Sequence, residues 1–336
     1  MKIGIIGMGA VTQRSHLPAL KFIKEATIVG FCETNKEVIA LFKDKYQFCS
    51  SINDLFSLKP ELVIIATPSS SHSEIAIKAV AHNISCLVEK PIALSVAQTL
   101  DIEAQLLKTT ARVFTGLHFR HTTQIQNLKT IIDSDKFGKL ISVQATFTNH
   151  INRRKTISGY EKARNSGGGV LYDLAYHHAD LIKFLTGNEA VEVCSKISSI
   201  VNEDDTASMQ INFGGIIANC FYSSHTHNEH SIKFFFEKGI IMIDFYRSTS
   251  LFISSGKNSI LDKIISELKY AFSMISIAKS LLPRYKALPF IKQFSYLLAK
   301  NNLERNNVAS FSDGVAALKV IEAAYKSNKT NKWESV

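Results

Sequence analysis

The chain has 336 residues, more than one hydrophobic core usually serves, so two domains are expected. Its 46% hydrophobic and 20% charged content, with only 6 prolines and no repeat, excludes a disordered, collagen-like or solenoid protein. The 39 basic and 29 acidic residues give a formal charge of +10, but apart from Arg153, Arg154 and Lys155 the basic residues are dispersed; with no nucleic-acid module, nucleic acid is not an expected partner.

From the first residue, the run "KIGII" (2–6) leads into Gly7-Met8-Gly9 and a helical pattern over 10–24, a strand, turn and helix rather than a signal peptide. Further short apolar runs follow at 27–31, 62–67, 84–88 and 112–116, with helical patterns at 35–45, 72–82 and 95–108 between them. Strands apolar throughout and alternating with helices predict a parallel sheet covered on both faces: an α/β, Rossmann-type, doubly wound domain over residues 1–120.

Beyond residue 120 the texture changes. A helix at 125–134 and a strand at 139–150 precede a helix at 170–185, and β-like runs follow at 191–200, 207–213, 216–223, 231–236 and 239–246. Their "GG" and "EKG" turns have hairpin spacing, so residues 121–336 are expected to form an α+β domain around a mostly antiparallel sheet. Residues 258–300 read as helical and basic, and 313–326 as a final helix with Asp313 near its start. No stretch reaches 18 uninterrupted apolar residues, so no membrane span is expected. Five cysteines, an odd number without a C-x-x-C, fit a reducing, cytoplasmic setting.

Chemistry concentrates at predicted strand ends. Gly7 allows a tight turn and Gly9 a close backbone approach to a pyrophosphate, which the N–H groups of a helix opening at Ala10 and Val11 would receive; the third fingerprint position holds Thr12 instead of glycine. Glu33, just past the second strand, is placed to bind adenosine ribose hydroxyls and would repel a 2′-phosphate, which favours NAD; Lys36 keeps NADP open. Thr67, Pro68 and His72 follow the third strand, and Glu89 and Lys90 the fourth, at the sheet edge where such folds bind ligands. In "GGGVLYDLAYHHAD" (167–180), Asp173 and His177 stand four apart, on one face of a helix, and could serve as an acid-base pair or make only a local hydrogen bond.

The segments "GIIGMGAVTQRSHLPAL", "IATPSSSH", "EKPIALS", "GGGVLYDLAYHHADLIKFLTG" and "FSDGVAALKVIEAAYKS" resemble the successive motifs of the Gfo/Idh/MocA family, named for glucose-fructose oxidoreductase and inositol dehydrogenase. The resemblance spans nearly the whole chain. It implies an NAD(P)-dependent dehydrogenase acting on a secondary alcohol or ketone of a sugar, cyclitol or nucleotide sugar, assembled as a homodimer or homotetramer through its C-terminal sheet. Residue by residue, Lys90 becomes the E-K-P lysine, often followed by a cis prolyl bond, Glu89 a structural neighbour, and Asp173 with His177 the acid and histidine of the family motif. Departures are Thr12, Ala175 where glycine is common, Tyr176, and Thr123 where proline is frequent in the segment that keeps Arg120. The alternative readings are a non-catalytic dinucleotide or sugar sensor, and a glycosidase that retains its NAD.

Two features carry weaker expectations. His225, His227 and His230 lack an acid or cysteine to complete a metal set, and a strand edge near substrate is the preferred reading. The apolar and basic pattern over 258–286 predicts a helix buried against a subunit or the sheet, capping the site or making an oligomer contact.

Overall fold

A computed structural model describes residues 1–150, 168–254, 283–299 and 307–336. Arg153 to Lys155, and the 258–282 part of the basic helical pattern, lie outside the described residues. The chain divides into two compact units. One comprises the described residues of Met1–His118 and Ala287–Leu318, and the other those of Phe119–Arg164, Gly168–Lys286 and Lys319–Val336.

In the first unit, strands β1 (Lys2–Ile6), β2 (Thr27–Cys32), β3 (Leu62–Ile65), β4 (Ser85–Val88) and β5 (Val113–Thr115) form one parallel sheet in the order β2-β1-β3-β4-β5. Phe48 makes an isolated parallel bridge to Phe31, with Phe31 N–H donating to Gln47 O and Cys49 N–H to Phe31 O, both at 2.9 Å. Counting that bridge as a rudimentary strand outside β2, the order is that of a Rossmann sheet, with the topological switch between β1 and β3. All four residues of β3 are buried, as are Ile3, Ile5, Leu87 and Val88, because helices pack on both faces.

Between these strands lie helices α1 (Leu17–Leu20), α2 (Lys36–Phe42), α3 (Ile52–Ser57), α4 (His72–Ala81) and α5 (Val96–Leu106). Asn35 caps α2 by accepting from Glu37 N–H and Val38 N–H, and Ser95 caps α5 by accepting from Gln98 N–H, as its position before the apolar run implies. The pattern over 10–24 is not one α-helix: residues Thr12–His16 form a π turn, in which Leu17 N–H reaches Thr12 O, and α1 ends at Leu20. Helix α3 escapes the sequence reading because it is six residues long; a Ser51–Asp54 capping box holds it in place of a periodic apolar face.

The second unit begins with a 3₁₀ turn whose residues Phe119, Arg120 and His121 fall within it, then α6 (Thr123–Asp133) and β6 (Leu140–His150). Helix α7 (Tyr176–Thr186) ends at Gly187, whose φ of 74° supplies the left-handed cap. Strands β7 (Glu192–Ser198), β8 (Thr206–Phe213), β9 (Ile216–Ser223), β10 (His225–Phe236), β11 (Gly239–Asp244) and β12 (Phe252–Ser254) follow. Helix α8 (Pro283–Leu298) comes next, then α9 (Phe311–Thr330) and β13 (Glu334–Ser335). The eight-stranded sheet has the order β12-β11-β10-β6-β9-β8-β7-β13, antiparallel except for the parallel pair β6 and β9. Along β8 and β9 buried and exposed residues alternate, which leaves one face open to solvent.

From Ala287 onward α8 belongs to the first unit, where Ala287, Phe290, Phe294 and Leu297 join the core formed by Ile3, Ile5, Met8, Phe31 and Ile64. Helix α9 contributes residues up to Leu318 to the first unit and from Lys319 to the second. Its start is a reciprocal cap: Asp313 N–H donates to Ser310 Oγ while Ser310 N–H donates to Asp313 Oδ2. No helix among the described residues is long and apolar enough to cross a membrane.

Candidate active site

The first unit gathers its sequence-predicted residues at the carboxyl ends of β1, β2, β3 and β4. Gly7 takes φ of 93°, and a Cβ there would lie 2.5 Å from Ala66 O, so only glycine fits this turn. Thr12 is buried in the third fingerprint position and donates its hydroxyl to Gly7 O at 2.8 Å, closing the turn from within the helix. Glu33 ties the end of β2 to the same turn: Oε2 accepts from Met8 N–H at 2.7 Å, and Oε1 from Thr34 N–H and Asn35 N–H. Gly9 is different, because a Cβ built there meets no atom within 4 Å, and Ala10 beside it is exposed. The loop thus offers open backbone at a helix start, the form a dinucleotide pyrophosphate requires.

This contrast yields a test. Gly9→Ala is expected to leave the thermal midpoint unchanged while weakening NADH binding by at least about tenfold, since the new methyl group obstructs only a bound pyrophosphate. Gly7→Ala is expected to destabilise the fold itself. Melting curves together with NADH fluorescence titration read both; equal NADH affinity in wild type and Gly9→Ala would contradict a pyrophosphate at this turn.

Thr67 is half-buried and Pro68 exposed at the end of β3, whereas His72 is buried. Its Nδ1 faces Pro91 O at 2.7 Å and Nε2 faces Thr67 O at 2.9 Å; a neutral ring donates to only one of these carbonyls, and the shorter contact ties it to the E-K-P turn. Burial lowers the His72 pKa against the opposing pull of those carbonyls. The Lys90–Pro91 bond is cis. Lys90 is half-buried and Glu89 buried, with Glu89 N–H anchored on Ile65 O at 2.9 Å.

The second unit carries the other pair. Gly169 has φ of 83° and leads into a π turn over Leu171–Ala175, in which Tyr176 N–H reaches back to Leu171 O. Asp173 lies in this turn, half-buried, and His177 follows in the first turn of α7, 5% exposed. Single π turns inside helices are frequent at functional sites, and here one follows the glycine turn after β1 and another carries Asp173 into α7. Phe119 packs edge-to-face on His177 at 4.7 Å and 86°. Behind it, His230 is stacked between Phe147 (3.7 Å) and Phe245 (4.0 Å), and its Nε2 lies 3.1 Å from His178 Nε2. Burial pushes the His178 pKa down to about 3, so the His178 ring meets His230 as a neutral partner.

Several contributors were not legible as such. Arg120 and Asp180 form a buried two-pronged ion pair, Nε to Oδ2 at 2.8 Å and Nη2 to Oδ1, which locks the turn carrying Phe119 to α7 one turn past His177. The pair is 60 residues apart in the chain, and no local spacing signals it. The three histidines of "HTHNEH" do not converge: His225 lies 3.3 Å from Asp205, His227 is exposed and His230 is buried. They sit on the first half of β10, which pairs with β6, whereas β11 pairs with β10 only from Ser231 onward. Among the described residues no group of His, Cys, Asp or Glu is arranged to hold a metal ion.

Comparison with known proteins agrees with both halves. Residues 1–117 match the family model described as oxidoreductase family, NAD-binding Rossmann fold, and residues 125–242 match the GFO/IDH/MocA C-terminal domain. The chain is 31% identical over 193 residues to glucose-6-phosphate 3-dehydrogenase of Bacillus subtilis (strain 168), an alignment covering 55% of this chain and 53% of that enzyme. It therefore spans about half the length of that relative. It is 24% identical over 269 residues to myo-inositol 2-dehydrogenase of Thermotoga maritima, covering 76% and 78%. Among solved structures, the WlbA dehydrogenase from Bordetella pertussis in complex with NADH and UDP-GlcNAcA has a TM-score of 0.82 at 18% identity, over 100% of this chain and 97% of that one. With both of its domain models matched in order along one chain, this protein belongs to the Gfo/Idh/MocA oxidoreductase family, whose N-terminal domain is an NAD-binding Rossmann fold.

Proposed function

We propose that this protein is an NAD-dependent dehydrogenase or reductase of a secondary alcohol or ketone on a sugar, cyclitol or nucleotide sugar. The observation that carries the reading is the placement of Lys90 on a fixed turn at the carboxyl edge of the NAD-type sheet, in a chain that also presents Asp173 and His177 on one helical stretch. In the oxidative direction Lys90 hydrogen-bonds the reacting oxygen, His177 accepts the hydroxyl proton and Asp173 supports the imidazolium that forms. NAD, when bound, supplies the hydride acceptor. Gly7, Gly9, Ala10, Val11, Glu33, Thr67 and Pro68 are assigned to hold it. His72 and Glu89 are assigned to shape the turn beneath it, which their burial supports.

Glu33 favours NAD over NADP because its carboxylate meets a ribose hydroxyl well and a 2′-phosphate badly. The substrate class follows what the relatives are named for, a hexose phosphate and inositol, and the sugar nucleotide bound by the WlbA dehydrogenase. In this reading residues 1–120 serve the cofactor, and 121–336 serve substrate and self-association into a homodimer or homotetramer. The exposed face of the large sheet supports the latter. Gln144, Ser208, Gln210, Asn219 and the 42% exposed Phe221 make an uncharged centre there, flanked by the exposed Lys233 beside Gln144 and Lys196 beside Ser208. A cytoplasmic setting is part of the reading, and the five free thiols accord with it.

The test is to incubate the protein with NAD or NADP and a panel of hexoses, hexose phosphates, inositols and nucleotide sugars. NADH formation on one class, with NADP poorer, is the expected result. No reduced cofactor with any member, together with release of a cleaved sugar or tight binding alone, would replace the dehydrogenase with a retaining glycosidase or a sensor.

A further inference from the structure

Glu89 is enclosed by groups delivered from four strand ends of the first unit. His16 comes from the π turn after β1, His72 from beyond β3, Lys90 adjoins it after β4, and His118 follows β5. His16 Nε2 lies 2.8 Å from Glu89 Oε1. The His16 ring is fully buried and held edge-on by Phe290 (5.4 Å, 90°) and Phe294 (5.6 Å, 70°) of α8, while His118 stacks on Phe290 at 4.4 Å. Gly116 closes the other side: a Cβ there would come within 2.9 Å of the Glu89 carboxyl carbon. The second oxygen, Oε2, accepts from the Lys90 main-chain N–H at 3.3 Å. So packed, the carboxylate has one orientation, one residue from the Lys90 side chain.

We propose that His16 is a positioning residue for Lys90, acting through Glu89: His16 donates Nε2–H to Oε1 and keeps an anionic carboxylate fixed beside the Lys90 ammonium. An ionised carboxylate only accepts, so the ring proton must sit on Nε2. The opposite nitrogen, Nδ1, meets no hydrogen-bond partner among the described residues, which suits that tautomer. Burial would raise the Glu89 pKa, but the hydrogen bond from His16, with the positive charge of Lys90 adding to it, brings it below the usual carboxylate value. Burial, opposed by Glu89, holds His118 down at about 4, so that ring is neutral when the carboxylate is needed. The sign for pH follows. Without the His16 donor the Glu89 pKa rises, and the anion is lost at a higher pH as acidity increases.

The inference rests on the reading of Lys90 as the group that meets the reacting oxygen, and its test separates the two. His16→Phe keeps an aromatic ring among Phe290 and Phe294 without a donor; His16→Gln restores an amide N–H. His16→Phe is expected to lower kcat about ten- to a hundredfold, the worth of a hydrogen bond to a charged group, and to move the acid limb of the pH profile upward, with KM for NAD unchanged. His16→Gln is expected to recover most of the loss. In 15N-histidine spectra a hydrogen-bonded Nε2–H of His16 should be present, and Glu89→Gln should shift it. Wild-type kcat and pH profile in His16→Phe, or a His16 resonance indifferent to Glu89→Gln, would overturn the proposal. If His16→Phe does not fold, His16→Gln and Glu89→Gln still decide it. If wild-type protein turns over no member of the sugar panel, the dehydrogenase reading fails, and the resonance experiment still decides whether His16 governs Glu89.

Discussion

Lys90→Ala and His177→Ala are each expected to lower kcat about a hundred- to ten-thousandfold, the range over which a positioned proton donor or acceptor acts. NADH affinity should change little in either variant. Lys90 is half-buried on a turn held by main-chain bonds and by His72 through Pro91 O, so truncating its side chain removes the charged head without releasing the turn. His177 is buried against Phe119, and alanine there leaves a void, so His177→Asn serves as the better-filled control. Steady-state kinetics with NADH titration and melting curves separate the outcomes. A fall in kcat at unchanged cofactor affinity and thermal midpoint supports the assignment; near wild-type turnover in both variants would refute it.

Arg120→Ala is expected to cost about 3–5 kcal/mol of folding stability, because it removes the two-pronged cationic partner of a carboxylate buried in the interior. Both side chains are almost fully buried, and the guanidinium also lies over the Phe184 ring at 4.8 Å. A loss of that size is a large part of a typical domain's stability. Urea denaturation should show the midpoint falling steeply, with Arg120→Lys rescuing poorly because an ammonium cannot reproduce the two-pronged contact or stack on Phe184. The double variant Arg120→Met with Asp180→Leu should recover part of the stability, since it removes both buried charges of the pair together. An unchanged midpoint in Arg120→Ala would mean that the pair is solvated and does not hold this turn. The effect should reach catalysis too, because the same turn carries Phe119 onto His177.

The contrast between Glu89 and Arg120 shows where the sequence stops being readable. The parallel strands announce themselves because burial on both faces demands apolar side chains at every position, and β1, β3 and β4 are written that way. The turn after β1 is equally plain, since a backbone at φ of 93° against Ala66 O admits only glycine. Short elements held by polar caps, such as α3, leave no periodic trace. The π turns are invisible for a related reason: inserting one extra residue into a helical hydrogen-bond pattern changes no residue type.

By itself the sequence determined which residues could do chemistry and on which kind of element each stands, because glycines, strand ends and helix spacing are local constraints. It placed Gly7, Gly9, Glu33 and Lys90 on one sheet edge, and Asp173 with His177 on one helical stretch. Only the tertiary structure decided which of these face outward and which support them. His72 and Glu89, equal in sequence to their neighbours, are buried, one fastened to Pro91 O and the other to His16. It also brought His16 to Glu89 across 73 residues and Arg120 to Asp180 across 60. The physical reason is that a buried charge needs a partner wherever the fold can supply one, and the supplier is set by strand order and helix packing, not by distance along the chain.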